Sequence, residues 1–106
     1  MAYTNTPTLP EPTAEAVQAL KGRVLLEFGT DWCPHCLGAQ EAIRAVLTAH
    51  DAIQHIKVED GPGRRLGRFF RVKLWPTLVL LQDGQEIARA VRPQGEAAVQ
   101  AVVDAG

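Results

Sequence analysis

A nearly continuous apolar stretch, RVLLEFGT at residues 23–30, leads within a few residues into a helical pattern that begins at Cys33. An apolar run of this length, interrupted only by Glu27, is typical of a strand that is covered on both faces of a sheet. From Cys33 the period becomes helical, and one stripe of the helix collects small and apolar residues: Cys36, Ala39, Ile43, Val46 and Leu47. The chain is therefore expected to place helices on both faces of a sheet.

The remaining segments continue this alternation of helices and strands. They are a short helix at 13–22, a second strand at 53–59, a short helix at 64–72, a hairpin at 77–91 and a closing helix at 94–105. The predicted order is α-β-α-β-α-β-β-α. The first two strands should be parallel, because a helix connects them, and the last two antiparallel, because Asp83-Gly84 forms a tight turn. The sequence predicts an α/β fold with a mixed four-stranded sheet.

The length of the chain, 106 residues, suits one compact domain. Residues 1–12 carry Pro7, Pro10 and Pro12 among small polar residues, and this composition predicts a mobile N-terminal arm. Residues 13–106 then form a single domain. We expect the protein to be a monomer.

Charge and hydropathy narrow the possible partners. The net charge of −1 creates no overall field for nucleic acid or anionic lipid. No apolar run approaches the roughly 18 residues that span a bilayer, so neither nucleic acid nor a membrane is an expected partner. The N-terminal residues lack the basic start and apolar stretch of a secretory signal, which predicts a cytoplasmic protein. A mature chain from which a signal had been removed would look the same.

The two cysteines of the chain allow a metal-binding reading as well as a redox one. Cys33, Cys36, His50 and His55 match the spacing of a zinc site with two cysteines and two histidines. A continuous helix over 33–49, rising about 1.5 Å per residue, would hold His50 roughly 20–25 Å from the cysteines. Zinc requires ligands within about 2.0–2.3 Å. The sequence therefore favours a redox pair and predicts no metal and no cofactor.

The strand-to-helix junction gives the two cysteines different environments. Cys33 lies at the helix N-terminus, where free N–H groups and the helix dipole favour thiolate, and Pro34 suits the first turn. Cys36 lies on the inward stripe, so an exposed Cys33 should attack and a buried Cys36 should resolve the mixed disulfide. An imidazolium at His35 would lower the pKa of Cys33 further and make the disulfide a stronger oxidant.

The stretch VLLEFGTDWCPHC resembles the thioredoxin family's strand followed by Trp-Cys-x-x-Cys. The segment WPT at 75–77 resembles the family's second landmark, a cis-proline that faces the active site. This resemblance covers residues 13–106 and implies the thioredoxin fold and thiol–disulfide exchange. It assigns Trp32, Pro34, Trp75 and Pro76 to the substrate-binding surface around the cysteines.

Other positions carry the resemblance further or depart from it. Glu27 falls where the family holds a buried Asp beneath the second cysteine, which implies a proton relay to Cys36; burial should favour its protonated form, and a side chain that reaches water is the alternative. The pair Pro34-His35 resembles the oxidising DsbA-type enzymes rather than thioredoxin proper, which has Gly-Pro there. Thioredoxins also begin with an extra strand, but the proline-rich arm favours four strands over five.

The predicted function is that of a thiol–disulfide oxidoreductase, with Cys33, Cys36, Glu27 and His35 as the catalytic residues. Its expected substrates are protein disulfides or dithiols, and its expected recycling partner is a reductase or glutathione. The alternative is a binding module of the same fold whose cysteine pair regulates docking without turnover.

Overall fold

A computed structural model describes residues 3–105 of the chain. Its helices are α1 (Ala14–Gln18), α2 (Pro34–Thr48), α3 (Arg65–Phe69) and α4 (Gly95–Val103), and its strands are β1 (Arg23–Gly29), β2 (Ile53–Glu59), β3 (Thr77–Gln82) and β4 (Gln85–Val91). The predicted order of elements is confirmed. The first two residues of the predicted arm and the last residue of the predicted domain lie outside the described residues.

The sheet is four-stranded and mixed, with the strand order β2-β1-β3-β4. Strands β1 and β2 are parallel, with Leu25 opposite His55, as the intervening helix α2 requires. Strand β3 is antiparallel to both β1 and β4. The predicted α/β class and the predicted strand directions are therefore confirmed, and β1 lies inside the sheet between two neighbours.

Alternation along the central strand divides the core into two layers. Leu25 packs with residues of α2 and α4 on one face of the sheet. Val24, Leu26 and Phe28 point to the opposite face, where they pack with residues of α1 and α3. Because side chains alternate along a strand, Glu27 shares the face of Leu25 and therefore points towards α2. The side chain of Glu27 therefore enters the interior on the face of the sheet that α2, with Cys36, covers.

The hairpin between β3 and β4 turns at Asp83 and Gly84, as predicted. Both residues have positive φ, 50° and 86°, which suits a two-residue turn of this kind. A Cβ added to Gly84 would overlap the carbonyl oxygen of Gln18 at the end of α1. Glycine is needed here both for the backbone conformation and for the close approach of α1.

The N-terminal segment, residues 3–12, lies against the domain along the outer edge of β2. Pro7 forms an isolated parallel bridge with Lys57, and the backbone N–H of Thr8 donates to the Lys57 carbonyl at 2.9 Å. The extra strand of thioredoxins is thus reduced to one bridge, in keeping with a segment whose prolines lack donors. The mobility of this arm in solution stays a prediction.

Candidate active site

Cys33 is the N-cap of α2, and this position determines the orientation of its side chain. Its backbone is extended, with φ −75° and ψ 120°, and its Sγ accepts the backbone N–H of Cys36 at 3.3 Å. The thiol folds back over the first turn, with Pro34 as the first helical residue. Cys33 is only 4% exposed, so the prediction of an exposed thiol was wrong. Both cysteines are free thiols.

The electrostatic surroundings of Cys33 favour its thiolate. Burial opposes ionisation, but hydrogen bonds from the thiol and the backbone N–H of Cys36 and from the backbone N–H of His35 outweigh it. The positive charge of Arg92 adds to these, and together they lower the pKa of Cys33. The side chain of His35, to which the sequence assigned this effect, is exposed. The structure shows two further causes of the lowered pKa that the sequence did not predict: the backbone N–H of His35 and the positive charge of Arg92.

Cys36 has the opposite character although it is buried to the same degree, at 3% exposure. Burial, the hydrogen bond with Cys33 and the negative charge of Glu27 raise the pKa of Cys36 to about 12. Its sulfur packs against the backbone of Gly29, where an added Cβ would lie 2.6 Å from Sγ. The Cys36 thiol can occupy this position only because residue 29 is a glycine and has no side chain.

Glu27 is a buried carboxylate, 2% exposed, whose two oxygens are both engaged. Oε1 lies 2.8 Å from Nε2 of His55, and Oε2 accepts a hydrogen bond from Nε2 of Gln40 at 2.6 Å. Nζ of Lys57 lies 3.8 Å from Oε2. The alternative in which this side chain reaches water is therefore excluded. The carboxylate is satisfied by donors from α2 and β2 instead.

A small cavity of about 50 Å³ connects the carboxylate with the second thiol. Its wall includes Glu27, Cys36 and Thr30, and on the outer side Asn5 and Pro7 of the N-terminal segment. The Thr30 hydroxyl is buried and has no hydrogen-bond partner among residues 3–105. The cavity therefore has polar groups on several sides, and the N-terminal segment forms part of its wall.

Two tryptophans border the cysteines. Trp32 is 69% exposed and meets Trp75 edge to face, with ring centroids 5.8 Å apart. The Trp75 indole N–H donates to Oδ2 of Asp60 at 2.9 Å, which holds the ring in place. The Trp75–Pro76 peptide bond is cis, and the ring of Pro76 is buried.

Arg92 joins the loop after β4 to the loop before β3. Its Nε donates to the Trp75 carbonyl at 2.9 Å, and its backbone N–H donates to the Pro76 carbonyl at 2.8 Å. Its φ is 50°, a left-handed conformation that is uncommon for a residue with a long side chain. These contacts place a guanidinium beside the loop that borders Cys33.

Known proteins with the same sequence pattern and architecture identify the family. The family model described as Thioredoxin matches residues 8–105. The thioredoxin of Chlamydia trachomatis is 30% identical over 70 residues, which are 66% of this chain and 69% of that protein. The chain belongs to the thioredoxin family. The family match begins inside the segment that the sequence assigned to a mobile arm.

Solved structures agree with the family assignment. Thioredoxin 2 from Pseudomonas aeruginosa, in its reduced form, matches with a TM-score of 0.83 and 47% identity over 95% of this chain and 94% of that one. Trxlp from Edwardsiella tarda matches with a TM-score of 0.71 and 26% identity over 80% of this chain and 84% of that one. The protein is thus a thiol–disulfide oxidoreductase of thioredoxin fold with a CxxC pair.

The histidines of the zinc alternative lie elsewhere in this thioredoxin fold. Nε2 of His50 lies 3.1 Å from Nε2 of Gln100 on α4, whereas the His55 ring contacts Glu27. Within residues 3–105 no group of three or more His, Cys, Asp or Glu side chains is arranged to hold a metal ion. Among the helices of the same range, none is long and apolar enough to cross a membrane.

Four residues around this thioredoxin site were not predicted as site residues: Gln40, His55, Lys57 and Arg92. A signal existed for Gln40, which lies one helical turn after Cys36 and donates to its carbonyl at 2.9 Å. A signal also existed for His55 and Lys57, which are two residues apart in a predicted strand and therefore lie on the same face of it. No local pattern indicated that this face would be the one carrying Glu27.

Proposed function

We propose that Cys33 is the nucleophile and Cys36 the resolving thiol in the exchange of protein disulfides. The observation that carries this assignment is the capping geometry of Cys33, whose sulfur accepts a backbone N–H at the start of α2. Thiolate is the reactive form, and helix N-termini stabilise it. The lowered pKa of Cys33 and the pKa of about 12 for Cys36 support the same division of roles.

The exchange balances in two steps. The Cys33 thiolate attacks one sulfur of a substrate disulfide, forms a mixed disulfide and releases the other substrate sulfur as a thiolate. Cys36 then loses its proton and attacks Cys33, which closes the Cys33–Cys36 disulfide and releases the second substrate thiolate. The substrate gains two electrons and two protons. A dithiol substrate is oxidised by the same steps in reverse.

Glu27 is the proposed proton acceptor for Cys36. Burial and the negative charge of Glu27 raise the pKa of Cys36, and both act on the thiol in the mixed disulfide as well, so the second step needs a base. Glu27 and Cys36 both line the small cavity, and the cavity is large enough for a water molecule that could carry the proton between them. The unpartnered Thr30 hydroxyl would serve as a further polar contact for that water.

Trp32, Pro34, Trp75 and Pro76 are the proposed substrate-binding residues. Trp32 itself is exposed, and so is Leu74, which precedes Trp75, at 47%. A substrate in extended conformation would pair with the backbone at Trp75 as an added strand, with its disulfide in line with Cys33. Since the buried Pro76 ring offers little surface, its contribution would be to shape the loop.

His35 is proposed to make the disulfide more oxidising through the positive charge of its imidazolium. We further propose that a reductase or glutathione recycles the pair, and that the protein works as a cytoplasmic monomer in electron transfer and redox homeostasis. The relatives act as thioredoxins, and this supports turnover rather than the alternative of a regulated binding module.

The test combines turnover with trapping. Reduction of a protein disulfide by catalytic amounts of the protein, with a recycling dithiol, should be lost in Cys33→Ser. Cys36→Ser should still attack and accumulate a mixed disulfide that intact-mass spectrometry detects. Turnover by Cys33→Ser, or a mixed disulfide on Cys36 in the wild type, would overturn the assignment of roles.

A further inference from the structure

We propose that His55 is a positioning residue for disulfide exchange, and that the backbone N–H of Thr4 fixes its ring in the form that holds Glu27. The proposal rests on the proposed role of Glu27 as the proton acceptor for Cys36. It assigns a function to a buried histidine that the exchange steps do not use, and to the N-terminal segment that covers it.

The hydrogen bonds of the ring determine its tautomer. The Thr4 backbone N–H donates to Nδ1 of His55 at 2.9 Å. Because a backbone N–H can only donate, Nδ1 must carry its lone pair, and the ring hydrogen must be on Nε2. Nε2 lies 2.8 Å from Oε1 of Glu27, so it donates to the carboxylate. The ring is therefore neutral, with both nitrogens satisfied.

Burial makes this arrangement stable against exchange with water. The side chain of His55 is 0% exposed, and that of Glu27 is 2% exposed. The Tyr3 ring lies against the imidazole, with centroids 5.2 Å apart and planes 31° apart. The imidazole therefore has little access to water, and it cannot flip without leaving a buried donor or acceptor unpaired.

The N-terminal segment also orients the donor to the second oxygen of the carboxylate. The Tyr3 hydroxyl donates to Oε1 of Gln40 at 2.7 Å, and Nζ of Lys57 donates to the same oxygen at 3.0 Å. These contacts fix the amide so that its Nε2 faces Oε2 of Glu27. Thr4 thus orients His55, and Tyr3 orients Gln40, so that each donates to one oxygen of Glu27. Asn5 and Pro7 of the same segment line the cavity that contains Cys36 in its wall.

The charged and titratable groups around His55 come from every element that packs on it. Glu27 of β1 and Tyr3 of the N-terminal segment contact the ring, and Lys57 of β2 lies near Glu27. On α2, Cys36 lies within the field of Glu27 and Arg44 within that of Tyr3. Lys57 supplies a positive charge near Glu27, so a neutral His55 suffices as the second donor. A second proton on the ring would put a hydrogen on Nδ1 facing the Thr4 N–H, and the segment would have to leave.

The consequence for the reaction follows from the direction of these bonds. Donors that point at a carboxylate stabilise its ionised form, and the ionised form is the one that can accept a proton from Cys36. His55 does not change its own protonation during the exchange. Its hydrogen bond holds the Glu27 carboxylate in position beside the cavity.

The first test is the pH dependence of the resolution step. His55→Leu should shift the pH at which resolution reaches half its maximal rate upward by about one unit, which is about 1.4 kcal/mol. His55→Gln should restore most of this shift, because its amide can both donate to Glu27 and accept from Thr4. Attack by Cys33 on the substrate should change little in either variant, which separates a positioning effect from general damage to the fold.

The second test isolates the backbone donor. Thr4→Pro removes the N–H, whereas Thr4→Ala keeps it. Long-range ¹H–¹⁵N spectra should show the wild-type ring protonated on Nε2 alone, and Thr4→Pro should lose this signature and shift the resolution profile more than Thr4→Ala does. These variants keep the proposal testable even where His55→Leu fails to fold.

The outcomes separate this proposal from the one on which it rests. If Glu27→Gln leaves resolution unchanged, both proposals fail. If Glu27→Gln slows resolution but His55→Leu and Thr4→Pro leave its pH dependence unchanged, the role of His55 alone is wrong. A wild-type ring protonated on Nδ1 would overturn the tautomer assignment directly.

Discussion

The two cysteines share one turn of helix and one degree of burial, yet they have opposite chemistry. Cys33 is 4% exposed and Cys36 is 3% exposed, so desolvation acts on both. At Cys33 it is outweighed by N–H donors at the start of α2 and by Arg92, and the pKa falls. At Cys36 it acts together with the negative charge of Glu27, and the pKa rises to about 12. Surface exposure alone therefore does not distinguish the two thiols: desolvation is the largest cause of the raised pKa of Cys36, whereas the donors and the positive charge around Cys33 outweigh it there.

The difference also divides the molecule into two regions with different construction. The surroundings of Cys33 come from the first turn of α2 and from two loops that meet at its surface. The surroundings of Cys36 come from the interior, where β1, β2 and the N-terminal segment converge on Glu27. An asymmetry built from separate regions can be altered on one side at a time.

The largest effect should come from removing the carboxylate behind Cys36. Glu27→Gln should slow resolution of the mixed disulfide at neutral pH by roughly 10²-fold, the lower range for loss of a general base. Attack by Cys33 should stay within a few-fold of the wild type. Stopped-flow measurement of both steps checks this prediction.

Glu41→Gln is the matched control for this change. Glu41 is an exposed residue of α2, so the same substitution there removes a carboxylate from the helix surface. If both variants slow resolution alike, the effect is one of net charge rather than of a base in the cavity. Equal slowing of attack and resolution in Glu27→Gln would likewise contradict the prediction.

The next effect is the difference in reactivity between the two thiols. Their pKa values lie at least three units apart, below 9.0 for Cys33 and about 12 for Cys36. Near neutral pH Cys33 therefore carries far more thiolate than Cys36. Its lower nucleophilicity, with a Brønsted coefficient of about 0.4–0.5, offsets only part of this advantage. Brief treatment with iodoacetamide and mass mapping should show Cys33 labelled at least about tenfold faster.

The pH dependence of labelling has a definite sign. Alkylation of Cys33 should rise with pH and reach half its maximal rate below pH 9.0, whereas that of Cys36 should continue to rise towards pH 12. The selectivity for Cys33 should therefore shrink as the pH increases. Faster labelling of Cys36 near neutral pH would reverse the comparison between the two thiols.

The two regions also differ in how far the sequence predicts them. The cap at Cys33 and the inward position of Cys36 follow from local spacing, because a helix fixes its own neighbours at three and four residues. The parallel direction of β1 and β2 and the antiparallel direction of β3 and β4 follow from their connections, a helix in the first case and a tight turn in the second. The low exposure of Cys33 could not be predicted from spacing, because it arises from the sulfur turning back over the helix to accept the backbone N–H of Cys36.

The partners of Glu27 were not predictable because they depend on register between distant segments. His55 reaches Glu27 only because β2 is parallel to β1 with Leu25 opposite His55. Thr4 and Tyr3 reach the site only because the N-terminal segment runs alongside β2, with Pro7 opposite Lys57. Arg92 lies beside Cys33 because β4 ends near the loop that carries Pro76. No local pattern contains these distances.

A smaller effect should separate two contributions of His35. His35→Pro removes both the imidazole and the backbone N–H that helps to lower the pKa of Cys33, whereas His35→Ala removes the imidazole alone. We expect His35→Pro to lower the reduction potential of the pair by roughly 30 mV, which is about 1.4 kcal/mol. His35→Ala should lower it by a part of that amount. Glutathione redox titration measures both potentials, and a potential of His35→Ala equal to the wild type would remove the imidazolium from the account.

The smallest effect should come from Arg92, and it concerns Cys33 alone. Asn is the suitable replacement, because it tolerates the left-handed φ of 50° at this position better than most residues do. Arg92→Asn should raise the pKa of Cys33 by roughly half a unit, which leaves about a third of the thiolate near neutral pH. The shift is small because Arg92 is half-exposed and solvent screens its charge. For the same reason the difference between the variant and the wild type should shrink in 1 M salt, where the Debye length is about 3 Å.

Arg65→Gln, a change at an exposed residue of α3, is the control for net charge. The pH dependence of Cys33 alkylation gives each value. A difference that persists undiminished in high salt would show that Arg92 acts through its hydrogen bond to the Trp75 carbonyl, by shaping the loop, rather than through its charge.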